Sequence, residues 1–73
     1  MYKRMTVILG AEMCNFTNCI LSGVHEEKNT ITVWCEITPN NLMNLTGNSW
    51  PFVKIDDKQY VFDVPFEDIT SAD

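Results

Sequence analysis

Apolar and polar side chains alternate without a break from residue 30 to residue 38. Successive side chains of a β-strand point to opposite faces of its sheet, so this period of two predicts a half-buried strand. The pattern also places a tryptophan among hydroxyls and a carboxylate on the outer face. The inner face would carry Ile31, Val33, Cys35 and Ile37, and the outer face Thr30, Thr32, Trp34, Glu36 and Thr38.

Another strand is expected just before this one, over residues 19–27, and a two-residue turn at Lys28-Asn29 would join them. Cross-strand partners share a face, so the apolar pattern tests this register. It places Gly23 opposite Trp34, where the indole ring could cover a position that has no side chain. A shift of one residue would mix the apolar and polar faces of the hairpin.

The rest of the chain predicts three more strands and one short helix. Thr38 suits a helix N-cap, Pro39 the first helical position, and Gly47 the C-terminal cap. Ile37 and Leu42 would then form a hydrophobic staple at the start of the helix. With a connection at residues 14–18, the predicted strands are 5–13, 19–27, 30–38, 50–56 and 59–65, and the predicted helix is 39–46.

This order of elements predicts a mainly β fold with the pattern β-β-β-α-β-β. Small five-stranded antiparallel barrels have that order, and the topology resembles the oligonucleotide/oligosaccharide-binding (OB) fold, without a sequence motif that carries the resemblance. An SH3-like barrel or a highly curved sheet with one short helix between strands 3 and 4 explains the same order. Residues 1–73 are expected to form one small domain, with residues 66–73 as a frayed tail.

The charge of the chain is strongly acidic. Ten acidic residues face five basic ones, which gives a formal net charge of −5, and six of the acids follow residue 55. Such a balance disfavours direct binding to nucleic acid, whose phosphates need lysine and arginine. It suits a basic protein surface as a partner, and it also serves solubility. No apolar run approaches the roughly 20 residues of a membrane span, so no membrane contact is predicted.

The three cysteines are an odd number, which favours a reducing, cytoplasmic location. With His25, they supply the atoms of a zinc site, but Cys14, Cys19 and Cys35 lack the Cys-x-x-Cys spacing of common zinc motifs. The expected register also places His25 and Cys35 on opposite faces. Ser22, beside Cys35 in that register, has no base within reach. The sequence therefore predicts no metal, no cofactor and no enzymatic activity.

The outer face of the 30–38 strand is the best candidate for a contact surface, because aromatic residues are enriched at binding hot spots. Whether solvent, a partner or another part of the chain covers this face stays open at this stage. Acidic residues near the second hairpin turn add charge to the candidate surface. The candidate partner-binding residues are Trp34, His25, Thr32, Glu36, Asp56, Asp57 and Asp63.

Three classes of function fit these features. The preferred one is a protein-binding inhibitor or adaptor of the phage, mobile-element or anti-defence kind, which engages a basic surface of a nucleic-acid-processing protein. The second is a structural or assembly subunit, such as a virion connector or ring-forming small barrel, with an apolar homo-oligomer interface. The third is single-stranded nucleic acid binding, with Trp34, Trp50 and Tyr60 as stacking platforms.

Overall fold

A computed structural model describes residues 3–47 and 53–73. Within those ranges the chain forms β-strands, one α-helix and a single 3-10 turn. No helix there has the length and apolar content that crossing a membrane requires. The elements are β1 (Lys3–Leu9), β2 (Glu12–His25), β3 (Thr30–Glu36), α1 (Pro39–Gly47), β4 (Lys54–Asp56), β5 (Gln59–Pro65), the 3-10 turn (Phe66–Asp68) and β6 (Ile69–Ala72).

The strands form one antiparallel sheet in the order β4-β5-β3-β2-β1-β6. The predicted mainly β class is confirmed, and so is the short helix between the third and fourth strands. The described strands number six rather than five, and the sheet is not closed, since β4 and β6 lie at its two edges. The predicted five-stranded barrel is therefore not confirmed, and neither is an OB-like or SH3-like arrangement.

The hairpin of β4 and β5 follows the prediction closely. β5 spans Gln59–Pro65, and Asp56 pairs with Gln59 across the turn at Asp57-Lys58. Asp57 has a left-handed φ of 56°, a conformation that aspartate tolerates better than most residues. The predicted beginning of the fourth strand, at residues 50–52, lies outside the described residues.

The segment expected to fray, residues 66–73, is instead paired with the sheet. After the 3-10 turn, β6 runs antiparallel to β1 and places Ala72 opposite Met5. The backbone N–H of Phe66 donates to the carbonyl of Asn29 at 3.0 Å, and that of Asp73 donates to Arg4 at 2.9 Å. Because these bonds are made to distant parts of the chain, no local sequence pattern predicts them.

The first hairpin turn lies earlier than the sequence pattern suggested. β1 ends at Leu9, the chain turns at Gly10-Ala11, and β2 begins at Glu12. Residues 5–13 were expected to form one strand, and residues 14–18 were expected to be a connection. They belong to β2, in which Cys14 and Phe16 are buried on one face. The alternation across Cys14 and Phe16 was thus the signal of a strand.

The predicted register between β2 and β3 is wrong. His25 pairs with Thr30 across a turn at residues 26–29, and a bulge at Gly23 then shifts the pairing again. Beyond the bulge, Ile20 rather than Gly23 is the partner of Trp34. The combined shift is an odd number of residues, so it exchanges the two faces of β2 relative to the prediction.

The core lies on one face of the sheet, and the sheet curls around it. Phe16 of β2 and Phe62 of β5 touch, with ring centroids 5.4 Å apart, although β3 separates their strands. β2 can bend between these two halves of the sheet because Asn18 has a left-handed φ of 54° within it. The buried apolar residues are Met5, Val7, Leu9, Cys14, Phe16, Cys19, Val33, Cys35, Leu45, Tyr60, Phe62 and Val64.

Helix α1 begins as predicted but packs differently. The N–H of Asn41 donates to Oγ1 of Thr38 at 3.1 Å, which confirms Thr38 as the N-cap. The expected staple is wrong, since Ile37 is 42% and Leu42 45% exposed. Leu45 is the apolar side chain that α1 adds to the core.

A buried asparagine attaches α1 to the sheet. Asn41 is 0% exposed. Its Oδ1 accepts from the N–H of Thr17 at 3.1 Å, and its Nδ2 donates to the carbonyls of Thr17 at 2.9 Å and Glu36 at 2.8 Å. The amide thus uses both of its N–H groups and its oxygen to bond backbone groups of Thr17 and Glu36, which lie beyond the last pair of the β2–β3 ladder. Asn40 and Asn44 both donate to the carbonyl of Asn15 nearby.

We expect Asn41→Ala to lower the free energy of unfolding by about 2–4 kcal/mol, because it removes three hydrogen bonds and leaves buried backbone groups unpaired. The matched control is Asn40→Ala, which should cost less than about 1 kcal/mol because Asn44 still donates to the same carbonyl. Urea unfolding followed by circular dichroism measures both. Equal losses in the two variants would contradict the role given to Asn41.

A comparison of Gly23→Ala with Gly10→Ala separates the free-energy cost of backbone strain from that of a steric conflict. Both glycines have a left-handed φ, +74° and +65°, which costs alanine about 1–2 kcal/mol. A Cβ at residue 23 would also lie 3.1 Å from Oγ1 of Thr32, whereas one at residue 10 would meet nothing within 4 Å. We expect Gly23→Ala to be the more destabilising by about 1 kcal/mol in urea unfolding. A larger loss in Gly10→Ala would refute this account of the bulge.

Candidate functional site

The face of the sheet opposite the core is called here the open face. Along β3, its side chains alternate with the buried Val33 and Cys35. Trp34 lies at its centre, between Ile20 of β2 and Val61 of β5, and Val61 pairs in turn with Lys54. Trp34 is half-buried by these neighbours. Its ring is therefore held in place while part of its surface stays accessible.

A chain of hydrogen bonds crosses three strands beside Trp34. Oγ1 of Thr32 donates to Oδ1 of Asp63 at 2.7 Å, and Nε2 of His25 lies 2.9 Å from the same Oγ1. Nε2 of His25 is 3.9 Å from Oδ1 of Asp63. Thr32 and Asp63 are cross-strand partners, and the bulge at Gly23 directs His25 towards Thr32.

The direction of these bonds determines what the group can do. A hydroxyl has a single proton, and Thr32 gives it to the Asp63 carboxylate. Oγ1 of Thr32 therefore accepts the hydrogen bond with His25, and Nε2–H of the imidazole is the donor. A nucleophilic hydroxyl needs a base that accepts its proton and then passes it on. The arrangement instead fixes the positions of a histidine and a carboxylate on the surface.

The second feature is a shallow depression around Trp34, with a volume of about 430 Å³. β3 contributes Trp34 and Glu36, and the β4–β5 hairpin contributes the other side. We name it the Trp34 depression. It is lined by Trp34, Glu36, Asp56, Asp57, Lys58 and Gln59.

Three carboxylates and one lysine give the Trp34 depression a net negative charge. Glu36 is oriented by Nδ2 of Asn18, which donates to its Oε2 across β2 and β3. Asp56 and Glu36 both flank Gln59, since Asp56 and Glu36 are its partners on the two sides of β5. The negative side chains are thus set by strand register next to an aromatic ring, and they suit a cationic group.

The structure places the predicted site residues in two adjoining groups. His25, Thr32 and Asp63 are linked by hydrogen bonds, and the other four line the Trp34 depression, which contains Trp34, Glu36, Asp56 and Asp57. Sequence reasoning missed Asn18, which was assigned to a connection, and Gln59. The signal for Gln59 was available, since one predicted strand ends at Asp56 and the next begins at Gln59, which places the two residues beside each other in a hairpin.

The cysteines and His25 do not come together. The three cysteines are buried in the core, whereas His25 is on the open face. In the described part of the chain, no cluster of three or more cysteine, histidine or acidic side chains could hold a metal ion. Ser22 pairs with Thr32 and not with Cys35, so the expected Ser22–Cys35 neighbourhood is wrong, and the partner of Cys35 is Cys19.

No protein-family model matches this chain, and no curated protein and no solved structure is significantly similar to it. The geometry of the open face therefore has to carry any functional argument.

We expect His25 and Asp63 to be coupled through Thr32. A double-mutant cycle of His25→Ala and Asp63→Asn should give a coupling energy of a few tenths to about 1 kcal/mol, typical of exposed pairs. The same cycle in a Thr32→Val background should give a value close to zero, because the bridging hydroxyl is gone. The measurement is urea unfolding of the wild type and the seven variants. An unchanged coupling in the valine background would contradict a bridge through Thr32.

Proposed function

We propose that this chain is a small, acidic, non-enzymatic protein-binding module, an inhibitor or adaptor that engages a basic surface of its partner. The open face supports the proposal through one observation above all. A half-buried tryptophan lies in a depression that Glu36, Asp56 and Asp57 make negative. Trp34 would be the anchor, and the carboxylates would receive lysine or arginine side chains of the partner.

The physical basis is that the indole ring of Trp34 and the neighbouring carboxylates can bind the same lysine or arginine side chain of a partner. An arginine or lysine over an indole ring is attracted by the ring's quadrupole, by about 0.5–1 kcal/mol at exposed sites. Charge-assisted hydrogen bonds to a neighbouring carboxylate add to this attraction and fix the orientation of the cation. Tryptophan is also among the residues that most often dominate binding energy at interfaces. Together they favour a basic partner over a neutral one.

The overall charge supports the same kind of partner. With a net charge of −5, the chain would be steered towards positive surfaces and away from nucleic acid. Proteins that process nucleic acid have basic grooves for phosphate groups, and carboxylates at a similar surface can occupy them. Inhibition of such a protein, as phage and mobile-element proteins do, is the form of the proposal that we favour.

The hydrogen bonds of the open face support a binding role rather than catalysis. Thr32 directs its proton to Asp63, and His25 donates to Thr32, so the histidine does not act on the hydroxyl as a base. Tyr60 is 6% exposed and packs in the core. It therefore gives no stacking platform, which weakens the case for single-stranded nucleic acid binding.

An assembly subunit is the second candidate, and exposed apolar side chains favour it. Met13, Met43 and Ile55 are 70%, 68% and 69% exposed, and β4 is an edge strand. An edge strand with an exposed apolar side chain offers unpaired backbone groups and apolar surface to a second copy of the chain. Size-exclusion chromatography with light scattering distinguishes the two candidates, because an assembly subunit forms a defined oligomer and a strict monomer at high concentration contradicts it.

The test is affinity capture of the partner from the native host lysate with three baits. We expect the partner to bind the wild-type chain and to be lost, by tenfold or more, from Asp56→Asn/Asp57→Asn. The control is Glu26→Gln/Glu27→Gln, which removes the same charge from a separate acidic depression at the other hairpin, where no tryptophan is present. Quantitative mass spectrometry measures the captured protein.

Two results would count against the proposal. Equal loss with both double variants would show that net charge, and not the Trp34 depression, attracts the partner. Binding that does not weaken between low and high salt would exclude the electrostatic contribution, since contacts between exposed charges are screened. Trp34→Ala should weaken capture while the circular dichroism spectrum stays that of the wild type.

A further inference from the structure

Two cysteines face each other directly across adjacent strands. Cys19 of β2 and Cys35 of β3 are register partners, and both side chains are 0% exposed on the core face. Directly opposite residues of antiparallel strands have Cα atoms about 4.5–5.5 Å apart. Disulfides join cysteines whose Cα atoms are about 4.4–6.8 Å apart. The register thus places this pair at a separation that a disulfide can span without moving the strands.

The two thiols already interact in the reduced protein. Interaction with Cys35 lowers the pKa of the Cys19 thiol, and burial opposes this effect. Interaction with Cys19, together with burial, raises the pKa of the Cys35 thiol. Cys19 is therefore the more acidic of the two thiols, and in its protonated form it donates to the carbonyl of Thr17 at 3.7 Å. Thiolate is the reactive form in exchange with disulfides.

We propose that Cys19 and Cys35 are a redox-active dithiol, which a small-molecule disulfide oxidises to a cross-strand disulfide between β2 and β3. Because both side chains are buried, the reagent reaches Cys19 during local opening of the sheet under native conditions. The Cys19 thiolate attacks one sulfur of the reagent, forms a mixed disulfide and releases one equivalent of the reagent's thiol. Cys35 then loses its proton, attacks the Cys19 sulfur and releases the second equivalent. The two cysteines are oxidised by two electrons, and one disulfide is reduced to two thiols.

Cys14 provides an internal comparison. It is also buried on the core face of β2, but its register partner is Val7 on the opposite neighbouring strand. Residues on β2 between Cys14 and Cys19 include the left-handed Asn18, which bends the strand. The register therefore selects Cys19 rather than Cys14 as the partner of Cys35.

The experiment treats the folded Cys14→Ala chain with excess oxidised glutathione and then analyses it by mass spectrometry. We expect the intact mass to fall by two hydrogen atoms, with no glutathione retained. Trypsin cleaves after Arg4, Lys28 and Lys54, so Cys19 and Cys35 fall on different peptides, which the disulfide should join. In the background of Cys14→Ala, adding Cys35→Ala should leave the reaction at a mixed disulfide or at the free thiol.

The same oxidation of wild-type protein is the control in case the Cys14→Ala variant does not fold. Chymotryptic cleavage after Phe16 separates Cys14 from Cys19, so the wild-type disulfide can be assigned directly. A Cys19–Cys35 linkage supports the proposal. A Cys14–Cys35 linkage, a stable mixed disulfide in place of a linkage, or oxidation that occurs only in denaturant would overturn it.

Discussion

The hydrogen bonds of Asn41 are the constraint on which the rest of the structure depends. β2 is longer than β3, so beyond the end of β3 one side of β2 has backbone groups with no strand to pair them. Buried backbone groups without a partner are costly. Asn41 supplies a donor and an acceptor to Thr17 and a second donor to Glu36. The helix can therefore close this region where another strand would otherwise be needed.

This arrangement explains how so short a chain forms two distinct faces. Because α1 completes β2 on one side, the sheet can bend at Asn18 and bring Phe16 against Phe62 on the inner side of the curl. The inner side takes the buried apolar residues. The outer side is left for Trp34 and the polar groups around it, which are positioned by register rather than by loops. Rigid strands hold functional groups more accurately than mobile loops do.

Local patterns predicted the parts of the structure that local chemistry determines. The alternation around Trp34, the Thr38 cap and the β4–β5 turn depend on neighbouring residues, and each was readable from the sequence. The Gly23 bulge was not, because a left-handed glycine adds one residue and reverses the alternation that register arguments use.

Local patterns also failed to predict the contacts between residues that are far apart in the sequence. The role of Asn41 could not be predicted, since nothing in the helix itself reveals that a distant strand lacks partners. The pairing of β6 with β1 joins residues at opposite ends of the sequence. The predicted site residues lie close together because they belong to neighbouring strands and one hairpin turn, whereas the correct neighbours of Trp34 required the true register.

The cover that asparagine side chains give to β2 has a further consequence. The asparagine side chains donate to the backbone carbonyls of Asn15 and Thr17, so these carbonyls do not pair with another chain. A bare strand edge, in contrast, invites intermolecular sheet growth. Detachment of α1 would uncover a further stretch of unpaired strand, in addition to the edges of β4 and β6, and would therefore favour aggregation.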